Sequence, residues 1–249
     1  MISIILRGGL GNNLYMMTAT MCHALKHGFE YAVPLEVDNP HYAGQKPYIF
    51  PGIKYCEKLP ALPLYREPFY HYHWIPAVDD IILDGYFQSF KYSEGYRKEV
   101  LDALGFNWHL EKGWCAIHVR RGDYLKLPDY HPFVGEKYLT DAVRIMNEQK
   151  GITNFRVFSN DLPWCRTFFS TLAGYNFDYV DGNTELQDME QGSWCEHQIL
   201  SNGTFATWMH YLNQNPDKIC IAPQRWFGRF LSHDTKDIYP ETSIIIPNE

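Results

Sequence analysis

The chain opens on an apolar, β-branched run, Ile2-Ser3-Ile4-Ile5-Leu6, which passes into Gly8-Gly9-Leu10-Gly11-Asn12-Asn13. A Met-, Ala- and Leu-rich segment from Leu14 to His27 follows and fits a helix. Strand, glycine turn and helix in that order describe a nucleotide-binding βα unit, whose turn brings backbone N–H groups toward an anion. The spacing departs from Gly-x-Gly-x-x-Gly, because Leu14 stands in the third position. Taken alone, the turn reads first as a tight connection.

From Val33 to Ala77 the periodicity breaks. Prolines at 34, 40, 47, 51, 60, 63, 68 and 76, interleaved with Tyr and His, predict loops with short strands. Within Pro68-Phe69-Tyr70-His71-Tyr72-His73-Trp74 the alternation suits a strand with both histidines on one face, and two imidazoles without a third ligand do not make a metal site. Ile81–Leu83 reads as a strand, and after Gly85-Tyr86-Phe87-Gln88-Ser89 a helical run ends near Leu104. The break at Gly105-Phe106-Asn107-Trp108, followed by Glu111-Lys112-Gly113, is the expected domain boundary, giving units of residues 1–108 and 109–249.

The second half is more regular. Strand-like runs Cys115–Val119, Phe155–Ser159, Phe177–Val180, Ile199–Leu200 and Ile219–Ala222 alternate with helix-compatible stretches. Those stretches are Glu136–Gln149, Pro163–Thr171, Leu186–Glu196 and Thr204–Leu212. The alternation predicts an α/β fold whose C-terminal half is a doubly wound parallel sheet, with ligands beyond the C-terminal strand ends.

Composition narrows the partners. At 249 residues, 45% hydrophobic and 20% charged, the chain has room for one large core or two modest Rossmann-sized domains. With 22 Lys and Arg against 29 Asp and Glu, a formal charge of −7, it has no broad basic field for nucleic acid or an anionic membrane. No apolar run reaches the roughly 20 residues of a membrane span, and Met1–Arg7 lacks a leader pattern, so the expectation is a soluble, cytoplasmic protein. The six cysteines form no Cys-x-x-Cys pair, which predicts reduced thiols and neither a zinc site nor a disulfide scaffold.

Three strand ends carry the candidate chemistry. The first is His118-Val119-Arg120-Arg121-Gly122-Asp123-Tyr124. An arginine fork can grip a diphosphate in two places, and a neighbouring carboxylate can fix that fork or take a proton; the plain alternative is a structural ion pair with Asp123. The second is Phe158-Ser159-Asn160-Asp161, whose amide or carboxylate could accept from guanine N1–H and N2–H, or simply cap the helix beginning near Leu162. The third is Ser201-Asn202-Gly203-Thr204-Phe205, at a helix start suited to phosphate oxygens. Together they suggest a nucleotide-diphosphate ligand.

His118-Val119-Arg120-Arg121-Gly122-Asp123-Tyr124 resembles the His-x-Arg-Arg-Gly-Asp-Tyr motif of the α-1,2-fucosyltransferases, glycosyltransferase family eleven. Gly8–Asn13 is similar to that family's Gly-Gly-Leu-Gly-Asn-Gln and Gly85–Ser89 to its Gly-Tyr-Phe-Gln-Ser; Phe158–Asp161, Cys195–Trp208 and Ala222–Phe227 match further segments in order. The resemblance implies two Rossmann-like domains facing a cleft, a GT-B type variant, with an acceptor-side N-terminal domain and a GDP-sugar-binding C-terminal one. It implies inverting transfer of L-fucose from GDP-β-L-fucose to O-2 of a galactose in a glycan acceptor, with no metal and no cofactor.

Carried over, Arg120 grips the β-phosphate, His118 and Arg121 support it, and Asp123 either orients Arg120, the favoured role, or takes the acceptor proton. Gly11 and Asn12 form the turn from which Asn12 reaches the donor. Ser201, Asn202, Gly203, Thr204 and Phe205 hold the diphosphate, and Asn160 or Asp161 reads guanine. The family usually has Asp at position 160 and serines at 203 and 204, so donor preference is open. The remaining alternatives are another nucleotide-sugar donor or linkage on the same fold, or a non-catalytic nucleotide-sugar or glycan-binding protein. The length resembles a bacterial or viral type.

Overall fold

A computed structural model describes residues 1–35, 48–68 and 70–248. The chain forms two compact units, Met1–Phe106 with His233–Pro240, and Asn107–Ser232 with Glu241–Glu249. The first crossing therefore falls two residues before the expected boundary. The return of 233–240 to the first unit has no counterpart in the hydrophobic pattern. It is held by Asp237, whose carboxylate accepts from Lys91 Nζ at 2.7 Å and from the Tyr72 backbone N–H at 2.9 Å.

In the first unit, β1 (Ile2–Ile4) lies parallel to β5 (Ile81–Asp84), which pairs in turn with β4 (Leu64–Arg66). A second pair, β2 (Val33–Pro34) with β3 (Tyr55–Cys56), joins β1 through a single parallel bridge between Ile2 and Tyr31. Helix α1 runs from Leu10 to His27, four residues earlier than the apolar pattern indicates. Gly8, at φ +75°, makes the turn by itself, and Gly9 is already the N-cap. Gly11, Asn12 and Asn13 thus belong to the first helical turn, where Asn13 Nδ2 donates to the Gly8 and Gly9 carbonyls at 2.8 and 3.0 Å.

The proline-rich stretch holds β2, β3 and β4 as its short strands, and its residues 36–47 and 69 lie outside the described ones. The segment around His71 and His73 is not a strand. Its backbone donors are taken by side chains: Tyr72 N–H goes to Asp237 and His73 N–H to Tyr92 Oη at 3.1 Å, so no partner strand is required. The two imidazoles face each other with centroids 4.3 Å apart. Among the described residues, no three His, Cys, Asp or Glu side chains gather as a metal site, and no helix is long and apolar enough to cross a membrane. All six cysteines are free, and every one except Cys56 is buried.

The second unit is built on six parallel strands. These are β6 (Glu111–Val119), β7 (Asn154–Ser159), β8 (Asn176–Tyr179), β9 (Cys195–Ile199), β10 (Cys220–Pro223) and β11 (Ile244–Ile246), in the spatial order β11-β10-β9-β6-β7-β8. Read from the other edge, this is the dinucleotide-fold order 3-2-1-4-5-6. Strand β6 begins at Glu111, earlier than expected. A register shift between Glu111 and Cys115, with Gly113 at φ +76°, lets the polar Glu111-Lys112-Gly113 join it.

In the first unit helix α2 spans Arg97–Leu104; in the second, helix α3 (Glu136–Lys150) presents Leu139, Ala142, Val143 and Met146, an i, i+3, i+4, i+7 stripe, to a core that includes Ile117, Val119, Phe155 and Val157. Helix α4 spans Leu162–Phe169 and α6 Thr204–Leu212. Helix α5 (Glu185–Trp194) opens on a Thr184–Gln187 capping box and runs without a loop into β9, so Cys195 and Glu196 are strand rather than helix. The Ile244–Ile246 edge strand was not anticipated, although three consecutive isoleucines are a fair strand signal.

Tyr138 on α3, fully buried, donates from Oη to the Leu200 carbonyl at 2.6 Å and lies 3.2 Å from that of Ile221, fastening the ends of β9 and β10. Tyr138→Phe is expected to cost about 1–2 kcal/mol by orphaning a buried carbonyl, with a fall in melting temperature of roughly 2–8 °C on thermal denaturation.

Candidate active site

Winding reverses at β6. The chain moves outward to β7 and β8, then returns to lay β9 on the other side of β6. Since no crossover helix bridges adjacent strands that leave in opposite directions, the space beyond the C-terminal ends of β6 and β9 is where ligands bind in such sheets. The residues there are His118 to Asp123 after β6 and Ser201 to Phe205 after β9.

These two strand ends are bonded to each other. His118 Nδ1 and Ser201 Oγ share a 2.6 Å hydrogen bond, and both residues are buried. The Phe205 ring lies 5.1 Å from the His118 ring at 31°. Burial, reinforced by the nearby Arg120 guanidinium, pushes the His118 imidazole down to about 3, so it is neutral at physiological pH. Tyr124, in the 3-10 turn Gly122–Lys126, adds a second tie by donating from Oη to the Asn202 carbonyl at 3.3 Å. Asn202 in turn donates from Nδ2 to the Trp226 carbonyl at 3.1 Å.

The two arginines have different surroundings. Arg121 is committed to the protein: its side chain is 13% exposed, Nε reaches Asp161 Oδ2 at 3.2 Å, and its guanidinium sits 3.7 Å from the Trp164 ring centroid. Arg120 is 40% exposed, with Nη2 placed 2.9 and 3.0 Å from the two Asp123 oxygens and its guanidinium 5.5 Å from the Tyr124 ring centroid. Its remaining fork N–H groups point away from that carboxylate by the geometry of a planar guanidinium.

The β7 end joins the same cluster. Asn160 Oδ1 accepts from the Arg121 backbone N–H at 2.9 Å, and a Cβ on Gly122 would come within 2.4 Å of Asn160 Nδ2, which explains the glycine between arginine and aspartate. Asp161 combines its ion pair with the N-cap of α4, accepting from Trp164 N–H at 3.3 Å. Helix α6 begins at Gly203 with no side-chain cap and no acidic residue in its first turn, leaving its N–H groups to an anion. The sequence pattern pointed to all three strand ends. It gave no sign of Trp164 beneath Arg121 or of Tyr124 clasping the β9–α6 loop, because both contacts depend on tertiary placement.

In the first unit, Asn12 Oδ1 accepts from Gln88 Nε2 at 3.0 Å, linking the start of α1 to the Gly85–Ser89 segment. A Cβ on Gly8 would meet Asn12 Nδ2 at 2.3 Å.

Comparison with known proteins agrees with this architecture. The fold is that of the GT-B glycosyltransferases. Superposition on the structure of E. coli heptosyltransferase WaaC with ADP gives a TM-score of 0.52 at 8% identity, over 99% of this chain and 92% of that one. The glycosyl transferase family 11 model matches residues 54–242, and the chain belongs to that family. It is 24% identical to an alpha-1,2-colitosyltransferase of Escherichia coli across 90% of this chain and 91% of that protein. It is also 33% identical to galactoside alpha-(1,2)-fucosyltransferase 1 of Alouatta belzebul across 44% of this chain and 31% of that protein. The chain is a glycosyltransferase.

The neutral, buried His118 has a thermodynamic consequence. Its folded-state pKa lies below its unfolded value, so the unfolded chain binds the extra proton and stability falls as pH drops below the ordinary histidine range. His118→Gln should remove about 1 kcal/mol of the stability loss between pH 6.5 and 5.5, read by urea denaturation at both values.

Proposed function

We propose that this glycosyltransferase moves L-fucose from GDP-β-L-fucose to O-2 of a galactose residue in a glycan acceptor, with inversion at the anomeric carbon. The observation that carries the proposal is Arg120, paired with Asp123 after the strand where winding reverses, on a strand end that His118–Ser201 and Tyr124–Asn202 tie to the loop opening the uncapped α6. A guanidinium and a helix N-terminus in one place suit a leaving group that gains charge on a phosphate oxygen as the glycosidic bond breaks. The α-1,2 linkage named for both relatives supports the regiochemistry.

In this mechanism His118, neutral and bonded to Ser201, packs beneath the phosphate site without adding charge. Arg121 holds the Asn160–Asp161 segment against the β6 end, and in this proposal the lone pairs left on Asn160 Oδ1 and the Asp161 carboxylate serve guanine. The acceptor hydroxyl attacks the anomeric carbon from the face opposite GDP as the bond from that carbon to the β-phosphate oxygen breaks, GDP leaves with the electron pair, and the hydroxyl proton passes to water. Asp123, occupied by Arg120 through both oxygens, orients that arginine and is not the base. We propose that positive charge from the protein replaces a divalent cation and that turnover persists in EDTA.

The colitosyltransferase match favours a second reading in which the sugar is colitose, L-fucose without its 3-hydroxyl. GDP-fucose and GDP-colitose offered in competition separate the two, with the preferred donor showing the higher kcat/KM. A protein that binds either donor and releases no GDP with any acceptor would be a binding module.

Arg120→Ala is expected to lower kcat by about 10²–10³, as for removal of a charge-stabilising donor, while Asp123→Asn costs about tenfold or less because the arginine keeps one acceptor. Steady-state GDP release with galactoside acceptor checks both. Near-normal turnover in Arg120→Ala would defeat the phosphate-grip proposal.

A further inference from the structure

Glu67 is an oddity of the first unit. It follows β4 in the proline-rich region, yet the residue is only 3% exposed, and among the described residues its carboxylate has no arginine or lysine hydrogen bond. Its partners are two backbone N–H groups and one phenol. Oε2 accepts from the Tyr86 N–H and the Phe87 N–H, both at 2.8 Å, and Oε1 accepts from Tyr92 Oη at 3.2 Å. Its own N–H donates to the Asp84 carbonyl at 2.9 Å. Two consecutive N–H groups converging on one oxygen form a concave turn that an anion stabilises.

The turn so held is unusual in itself. Phe87 has φ +51° with a fully buried ring, a conformation that a bulky L residue adopts only where its surroundings impose it. Gly85 packs against the Glu67 side chain so closely that a Cβ there would lie 2.4 Å from Glu67 Cβ. The next residue, Gln88, donates to Asn12 Oδ1 in the first turn of α1, while its own Oε1 is buried without a partner. One carboxylate thus fixes a strained loop, and that loop fixes the side chain that meets the glycine turn.

We infer that Glu67 is a positioning residue: its carboxylate locks Gly85–Gln88 in a conformation the backbone would not hold alone, and so sets the Gln88–Asn12 amide pair for the transfer reaction. The inference rests on the reading, carried over from the family resemblance, that Asn12 serves the transferred sugar rather than GDP. Glu67 touches no substrate itself. Burial raises its pKa while the Phe87, Tyr92 and Tyr86 donors oppose that rise, as expected for an anion used structurally.

The test pairs kinetics with amide hydrogen exchange in the full chain. In Glu67→Ala the Tyr86 and Phe87 N–H groups lose their acceptor, and their exchange should accelerate at least about 100-fold while the β5 amides stay protected. Transfer kcat should fall at least about 20-fold, with the Kd for GDP within about twofold because the residues proposed to hold GDP lie in the second unit. Glu67→Gln keeps one oxygen to accept both N–H groups and should restore kcat to within about fivefold of wild type. If Glu67→Ala does not fold, Gly85→Ala, which pushes the Glu67 side chain away, should give the same kinetic and exchange pattern.

Unchanged exchange at Tyr86 and Phe87, or wild-type turnover in a variant whose exchange has accelerated, overturns the inference. Failure of the wild-type protein to transfer fucose would instead overturn the donor proposal, and the exchange measurement still decides whether Glu67 holds the loop.

Discussion

The hydrogen bond between His118 and Ser201 is the contact on which the rest of the second unit's chemistry depends. It ties together two strand ends that lie side by side only because the chain reverses its winding around β6. An ionised imidazole there would set a second cation beside Arg120, whose own partner Asp123 is already engaged through both oxygens. Burial keeps the ring neutral, so a single hydrogen bond can join the strands while the positive charge stays on the arginine. Ser201 fixes the entry to α6, and Tyr138 secures the preceding carbonyl from beneath the sheet.

Around that joint, two adjacent arginines have separate tasks. Both follow the end of β6, where the chain turns into the 3-10 segment, and their side chains reach different neighbours. Arg121 packs onto Trp164 and pairs with Asp161, while Arg120 pairs with Asp123. The cation–π stack and the capped α4 terminus make Arg121 part of the scaffold. A lysine in its place would lose the planar face that Trp164 covers. The overall negative charge of the chain is therefore no obstacle to binding an anion, because the relevant positive charge is local and held by geometry.

Much of this was legible beforehand where local pattern and tertiary structure agree. The alternating runs after residue 114 gave the strands and helices of the second unit, and with them the strand ends that matter. Misreadings cluster where side chains or single glycines override the pattern. Gly8 started α1 early, Gly113 let a polar segment enter β6, and Asp237 and Tyr92 satisfied the backbone of a segment that alternates like a strand. Glu67 gave no local signal. A carboxylate that bonds only to distant backbone and a tyrosine has no spacing rule, and its role emerges only when Phe87 is seen in the left-handed region.

The C-terminal course of the chain bears on modularity. After α6 and β10 the polypeptide contributes residues 233–240 to the first unit, then returns to supply β11 as an edge strand of the second. Neither unit is a continuous piece of sequence. A chimera that exchanges one half with a relative at a single junction near residue 106 would carry the wrong Asp237 into the first unit. Recombination that preserves both cores needs three junctions, so in this fold substitution within a unit disturbs the packing less than shuffling whole halves.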